Sequence, residues 1–219
     1  ELEYFGQYGI TPDVLSYYRV VPLDGYFIEN GKGKSYKVDR NEDEMMFAFK
    51  GDGFAKIYTP IPKSFTWVGN KPPDYYFGWN EVDQGDGKHF VLEHLIITGG
   101  EKDVLTLHAL GYDNVISLNS ETSALDAEFA EKLRYHSQGK VVVLYDIDET
   151  GRKASQSLVD KHGFKEIVLP DELTNKRGKD VSDFVALGLD VDELKKMIDQ
   201  AIAHEEEISG EEEDNKPPQ

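Results

Sequence analysis

The chain of 219 residues is 39% hydrophobic and 11% aromatic, enough apolar material for one large or two small domains with a real core. Its formal net charge of -18 argues against an unassisted grip on nucleic acid, since Lys and Arg contacts to phosphate supply most of that affinity, although acids crowd into the C-terminal "HEEEISGEEEDNKPPQ". With Cys 0, six scattered histidines and no apolar run approaching 18 residues, the composition excludes disulfides, a cysteine-ligated zinc module and a membrane span, and a cytoplasmic protein is expected. A first residue of Glu rather than Met suggests a piece excised from a longer protein.

Most aromatic residues fall before about residue 90, among short apolar and polar alternations separated by Gly turns. A short helix is expected near "TPDVLSYYR", followed by strands in "GYFIENGKGKSYKV" and in "MMFAFKGDGFAKIYTP", where GDG marks a hairpin. The segment "NGKGKS" imitates a phosphate-binding loop, but that motif requires Gly where Ile28 stands, and no strand-to-helix context follows. Residues 1–90 are therefore expected to form a smaller β-rich (α+β) subdomain.

Beyond residue 90, apolar strands "HLIITG", "NVISLN", "KVVVLYD" and "EIVLP" alternate with helices of ten to fifteen residues. That alternation predicts an α/β domain over 91–190, a parallel sheet flanked by helices and built from right-handed crossovers. "SALDAEFAEKLRYH" reads as a cover helix with Ser123 as its N-cap and Leu125, Phe129 and Leu133 on one face. The charged "DELTNKRGKDVSD" is a candidate functional loop, 191–204 a C-terminal helix ending near His204, and 205–219 an acidic disordered tail.

In an open parallel sheet the ligand sits beyond the carboxyl ends of the strands, which singles out the turns after "IIT" and "VLY". Asp146 and Asp148 lie there, two residues apart and so on one face of an extended strand. Two close carboxylates repel, and a divalent cation with a preference for oxygen ligands relieves the repulsion; the bland alternative has Asp148 capping the next helix and Asp146 solvated. Arg152 and Lys153 oppose the dipole of the helix they begin, which suggests another purpose, such as neutralising the aspartates or meeting a phosphate; the alternative is two solvated side chains. In "GKDVSDF", Lys179 and Asp180 are candidates for nucleotide contact, while Asp180 with Asp183 also reads as a helix N-terminal box.

Taken together, "IITGGEKDVLTL", "VISLNSET", "VVVLYDIDETGRKA" and "KDVSDF" resemble a Toprim domain, the metal-binding fold of bacterial-type primases, topoisomerases and some nucleases. The preceding "FAKIYTP", "FTWVGN" and "YYFGWNEV" look like the first part of the RNA-polymerase domain of phage-type primase-helicases, the group that includes the mitochondrial Twinkle helicase. The resemblance implies Mg²⁺ (or Mn²⁺) at Asp146 and Asp148 and carries over Lys56 as a nucleotide or template contact; Lys102, Arg152, Lys153, Lys179 and Asp180 are the further candidates for contact with nucleotide or nucleic acid. It implies primer synthesis from nucleoside triphosphates on a single-stranded DNA template in phage or mobile-element replication, with a replicative helicase as a further partner and no membrane association.

Two departures stand out. The family's zinc template-reading module and helicase motor have no counterpart in this sequence, and Gly99 occupies the position of the family's metal-binding, catalytic Glu in E-G-x-x-D. Glu121, expected in a turn beside "GGEK", is the first candidate to supply the missing carboxylate and Glu101 the second. A catalytically inactive Toprim scaffold or nucleic-acid-binding module is the alternative that Gly99 favours. A Toprim nuclease is a third reading, against which the first subdomain argues.

Overall fold

The structure is a computed structural model that describes residues 2–29, 33–83, 91–118 and 125–213. The chain divides into two compact units: one runs to Tyr75 without Gln7–Gly9, and the other comprises Gln7–Gly9 and the residues from Tyr76 onward. This division lies earlier than the change of sequence texture near residue 90.

The first unit opens with helices α1 (Leu2–Gly6) and α2 (Pro12–Tyr17), the latter capped by Thr11 and started by a proline at a position where no N–H is needed. Strands β1 (Val20–Pro22), β2 (Gly25–Glu29), β3 (Ser35–Asp39), β4 (Phe47–Lys50), β5 (Phe54–Thr59) and β6 (Ser64–Gly69) follow. β2 and β3 pair as an antiparallel ribbon, and the others form an antiparallel sheet in the order β1-β4-β5-β6. Period-2 alternation gives this sheet two unlike faces. Ala48, Ile57, Ala55 and Val68 pack with Met46 and Tyr26 on one face. The other carries the cross-strand rows Phe47–Tyr58–Phe65 and Phe49–Lys56–Trp67.

The second unit begins with α3 (Trp79–Asp83), so "YYFGWNEV", grouped with the β-rich stretch on its texture, ends in a helix. Tyr76 stacks on Phe129 and Trp79 meets the same ring edge-on, so this aromatic run serves to bury side chains in the second unit's core. Then come β7 (Leu95–Thr98), α4 (Glu101–Ala109), β8 (Val115–Ser117), α5 (Ala127–Ser137), β9 (Val141–Leu144), α6 (Glu149–His162), β10 (Lys165–Glu166), α7 (Asp171–Asn175), α8 (Val181–Ala186) and α9 (Val191–Glu213). All strand pairs of the four-stranded sheet are parallel, in the order β10-β9-β7-β8.

β7 and β9 are buried along their whole length, which is why they read as unbroken apolar runs. Their ends are level, Thr98 opposite Leu144, and the Thr98 hydroxyl donates to the Leu144 carbonyl at 2.8 Å. The two turns picked out in the sequence therefore emerge side by side.

Local expectations shift in three places. α5 is capped by Asp126, whose carboxylate accepts from the N–H groups of Glu128 and Phe129; the expected cap, Ser123, lies outside the described residues. β10 occupies only Lys165–Glu166, at the start of "EIVLP" and just before it, with one further backbone bond from the Ile167 N–H to the Val143 carbonyl at 2.8 Å. α9 runs to Glu213, beyond His204, through a glutamate-rich segment of high helix propensity. Among the described residues no helix is long and apolar enough to cross a membrane.

Candidate metal and nucleotide site

Strand β9 ends at Leu144, and the chain then turns through Tyr145, Asp146, Ile147 and Asp148 into α6. The extended strand geometry does not persist to Ile147. A backbone bond from the Ile147 N–H to the Lys179 carbonyl, 2.8 Å, instead ties this turn to the loop before α8. Gly151 permits the tight entry into α6: a Cβ there would lie 2.8 Å from the Asp146 Cβ and collide with the Asp146 carbonyl. Asp148 caps the helix, its Oδ1 accepting from the Gly151 N–H at 2.9 Å, and Gly163 closes the other end in the left-handed conformation at φ 64.

The capping reading of Asp148 is thus correct and incomplete, because its second oxygen faces the site. Oδ2 of Asp148 lies 3.2 Å from Lys179 Nζ, and the same ammonium donates to Oδ2 of Asp146. Asp146 is buried rather than solvated. One cation thereby bridges both aspartates.

Asp103, the last residue of "GGEKD", sits in the first turn of α4 and is buried. Carboxylate oxygens of Asp103, Asp146 and Asp180 lie within 4.8 Å of one another. Asp103 escaped the sequence-based choice because an acid in a helix's first turn has a ready use against the dipole. The signal that could have found it is the final D of E-G-x-x-D, which faces the D-x-D turn once β7 and β9 are neighbours. Its Oδ1 accepts from both the backbone N–H and the hydroxyl of Ser182.

Asp180 is the N-cap of α8, accepting from the Asp183 N–H at 2.6 Å, while Asp183 Oδ2 accepts from the Lys179 N–H at 3.0 Å. The helix-start box is real, and it also delivers Asp180 to the triad. Lys102 Nζ stands 3.8 Å from Asp180 Oδ2 and 3.9 Å from Asp183 Oδ1, over the Tyr8 ring.

The charge states follow from these neighbours. Burial, then the charge of Asp180, push the Asp103 carboxyl well above its ordinary value against the pull of Lys102 and the Ser182 hydrogen bond. Asp180 is also raised, by burial first, with Lys102 opposing. Burial would lower Lys179 and Lys102, but hydrogen bonds and charge from Asp146 and Asp148 raise the first, and Asp180 and Asp103 raise the second. Asp148 is lowered by the Gly151 N–H and Lys179, with burial acting against them.

Arg152 and Lys153 have other partners. Arg152 Nε donates to the Ile147 carbonyl at 2.8 Å and its Nη2 lies 3.7 Å from Asp171, while Lys153 pairs with Glu149 one turn back. The structure brings neither to the aspartates. Glu101 is the first residue of α4, Glu121 lies outside the described residues, and Gly99 stands at the end of β7. Lys56 belongs to the first unit, where its ammonium lies 4.6 Å from the Phe65 ring centre and 5.6 Å from that of Trp67.

Comparison with known proteins accords with this architecture. Residues 96–185 match the family described as Toprim-like. No curated protein matches the sequence. Among solved structures, the E. coli primase catalytic core is 16% identical with a TM-score of 0.62, over 90% of this chain and 72% of that one. A DnaG primase catalytic domain bound to single-stranded DNA gives 16% identity and a TM-score of 0.63, with 90% and 72% covered. The zinc-binding and RNA-polymerase domains of Aquifex aeolicus primase give 20% and 0.60, over 90% of this chain but 55% of that one. Residues 96–185 are a Toprim-like domain, in a chain that shares its fold with bacterial primase catalytic cores.

Proposed function

We propose that the chain is a primase-like catalytic core that joins nucleotides on a single-stranded DNA template with Mg²⁺ or Mn²⁺ at Asp146 and Asp148. The observation that carries this reading is the cluster of Asp103, Asp146 and Asp180 carboxylates beyond β7 and β9, with Asp148 joined to Asp146 through the Lys179 ammonium. Oxygen donors so close together, those of Asp103 and Asp146 buried, carry mutual repulsion that a hard divalent cation relieves, and an all-carboxylate set suits Mg²⁺ or Mn²⁺. The residues present fit such an ion. When bound, it supplies charge stabilisation for phosphoryl transfer.

In that reaction a primer 3'-oxygen forms a bond to the α-phosphorus of a triphosphate, the bond to pyrophosphate breaks, and the 3'-hydroxyl proton passes to solvent water. In-line transfer needs positioning and compensation of charge more than covalent help from the protein. Asp146 and Asp148 hold the ion in the proposed site, and Asp103 fixes α8 so that Asp180 stays beside them. Lys102 and Lys179 are assigned to the triphosphate. Lys153 and Arg152, both substantially exposed, can give up their surface pairs at a cost of at most about 1 kcal/mol and serve as outer phosphate contacts. In the first unit, Lys56 with Phe65 and Trp67 offers a cation beside aromatic faces, a chemistry suited to unpaired bases and their phosphates. Similarity to a catalytic domain that binds single-stranded DNA supports this part of the reading.

A second reading, an inactive Toprim scaffold, is favoured by Gly99 alone. Template-directed dinucleotide synthesis in Mg²⁺ separates the two. Product that disappears in Asp146→Asn and Asp148→Asn supports the primase reading; no product on any single-stranded template supports the scaffold. Cleavage of DNA or RNA without synthesis would point to a nuclease.

A further inference from the structure

The position of Lys179 bears on how the proposed site fills. Its main chain is fixed on both sides, the carbonyl by the Ile147 N–H at 2.8 Å and the N–H by Asp183 Oδ2 at 3.0 Å. The side chain, by contrast, is held only through its ammonium. Its ammonium touches Oδ2 of Asp146 and Oδ2 of Asp148 together.

Those oxygens matter because Asp148 Oδ1 is committed to the Gly151 N–H. On Asp148 the oxygen left for an ion is therefore Oδ2, which the ammonium already holds together with Oδ2 of Asp146. The Asp146 side chain is 6% exposed, whereas those of Lys179 and Asp148 are 46% and 41% exposed. The ammonium thus stands at the wetter side of a buried carboxylate, with water into which it can withdraw.

We propose that Lys179 is a tethered competitor of the divalent ion: it holds the ion's place between Asp146 and Asp148, keeps affinity for the free ion low, and yields when the ion arrives with a phosphate chain. The inference rests on the assignment of a divalent site to these aspartates. Displacement leaves a cation within one side-chain length of the ion, without the two carboxylate contacts it had. A phosphate oxygen delivered with the ion supplies a new partner, so ion and phosphate favour one another's binding. Such coupling is reciprocal. An isolated ion gains no such help and must displace the lysine unaided.

The test is Mn²⁺ binding followed by electron paramagnetic resonance and calorimetry, without nucleotide, for the parent, Lys179→Met, Lys179→Gln and Lys179→Arg. Loss of the competitor should tighten Mn²⁺ binding by about 5- to 100-fold in the Met and Gln variants. Lys179→Arg, which keeps the charge, should stay near the parent. Tripolyphosphate should tighten Mn²⁺ binding more for the parent than for Lys179→Met. In chelator, both uncharged variants should melt below the parent and recover with Mn²⁺; the Gln variant, which keeps a hydrogen-bond donor, serves if the Met variant does not fold.

Unchanged or weaker Mn²⁺ binding in the uncharged variants overturns the competitor, since a lysine that merely orients the aspartates would be missed by the ion. An equal effect of tripolyphosphate on parent and variant overturns the coupling. If neither the parent nor any variant binds Mn²⁺ in a manner lost with Asp146→Asn, the divalent site fails, and the competitor with it. Binding that is lost with Asp146→Asn yet indifferent to Lys179 removes the competitor alone.

Discussion

Asp103 on α4 accepts from both the backbone N–H and the hydroxyl of Ser182 on α8, so one buried carboxylate pins together the helices whose first turns present Lys102 and Asp180. The Ser182 hydroxyl also lies 3.0 Å from that of Thr106, one α4 turn further on. Ser182→Ala leaves Asp103 with a single donor. The expected loss is about 0.5–1.5 kcal/mol, the net worth of one intramolecular hydrogen bond. Thermal melting reads it, and a midpoint equal to the parent's would mean the hydroxyl contributes nothing.

Asp103 and Asp148 impose opposite pH dependences. The folded pKa of Asp103 is raised well above its ordinary 3.8 by burial first, so the folded chain binds that proton more tightly than the unfolded chain. Its contribution is complete below pH 3.8 and is lost as pH rises toward the folded value. In chelator, Asp103→Asn should therefore gain stability relative to the parent as pH rises from 3.8 toward the raised folded value. Asp148, lowered chiefly by the Gly151 N–H, contributes stability present above 3.8 and lost as pH falls through its folded value. Asp148→Asn should be penalised at neutrality and match the parent in acid. Melting curves across the pH range check both signs, and parallel curves for parent and variants would contradict them.

Gly151→Ala should destabilise even though alanine is the better helix former, by about 1 kcal/mol in an open helix. The added Cβ would lie 2.8 Å from the Asp146 Cβ, with the Asp146 carbonyl closer still, so α6 or the aspartate turn must move. Overpacking of this kind costs about 1–3 kcal/mol. The displacement falls on a carboxylate of the site, so Mn²⁺ affinity should drop along with the melting point. A stabilised variant would show that the turn has room that the geometry denies it.

The parallel sheet was legible because buried strands leave apolar runs such as "HLIITG" and "KVVVLYD", and the D-x-D turn was legible because its acids break such a run at the functional edge. Asp103 was hidden because one residue type serves both helix starts and ligand sets, and only the pairing of β7 with β9 distinguishes them. Arg152 shows the converse. A cation in a first turn reads as a phosphate contact; here it also reaches the Ile147 carbonyl, a backbone partner with no sequence signature. "YYFGWNEV" carries strand-like aromatics whose burial in the second unit outweighs β propensity. The bridging of Asp146 and Asp148 by Lys179 depends on a backbone bond between residues far apart in sequence, which no local pattern encodes.

If the site catalyses transfer despite Gly99, another carboxylate must complete it. Glu121→Gln should then abolish most Mg²⁺-dependent transfer and weaken Mn²⁺ binding, whereas Glu101→Gln at the start of α4 should change both little. Gly99→Glu should raise Mn²⁺ affinity. Activity that emerges only in Gly99→Glu would make the natural chain a scaffold.

The first unit should contact single strands through Phe65, 58% exposed, and the Lys56 ammonium beside it. Phe65→Ala should weaken binding to single-stranded DNA by about 1–3 kcal/mol, the usual scale for one stacked base. Lys56→Ala should also weaken it and reduce its salt dependence. Fluorescence anisotropy at several salt concentrations reads both, and unchanged affinity in the pair of variants would place the strand elsewhere.

The central claim is that Asp146 and Asp148 share one divalent ion. Anomalous diffraction from crystals soaked in Mn²⁺ with a triphosphate tests it most directly: the account predicts a peak within ligand distance, about 2.0–2.2 Å, of Oδ2 on both aspartates, with the Lys179 ammonium withdrawn onto phosphate. Soaked crystals with no peak there, and with Lys179 still bridging both carboxylates, would contradict it.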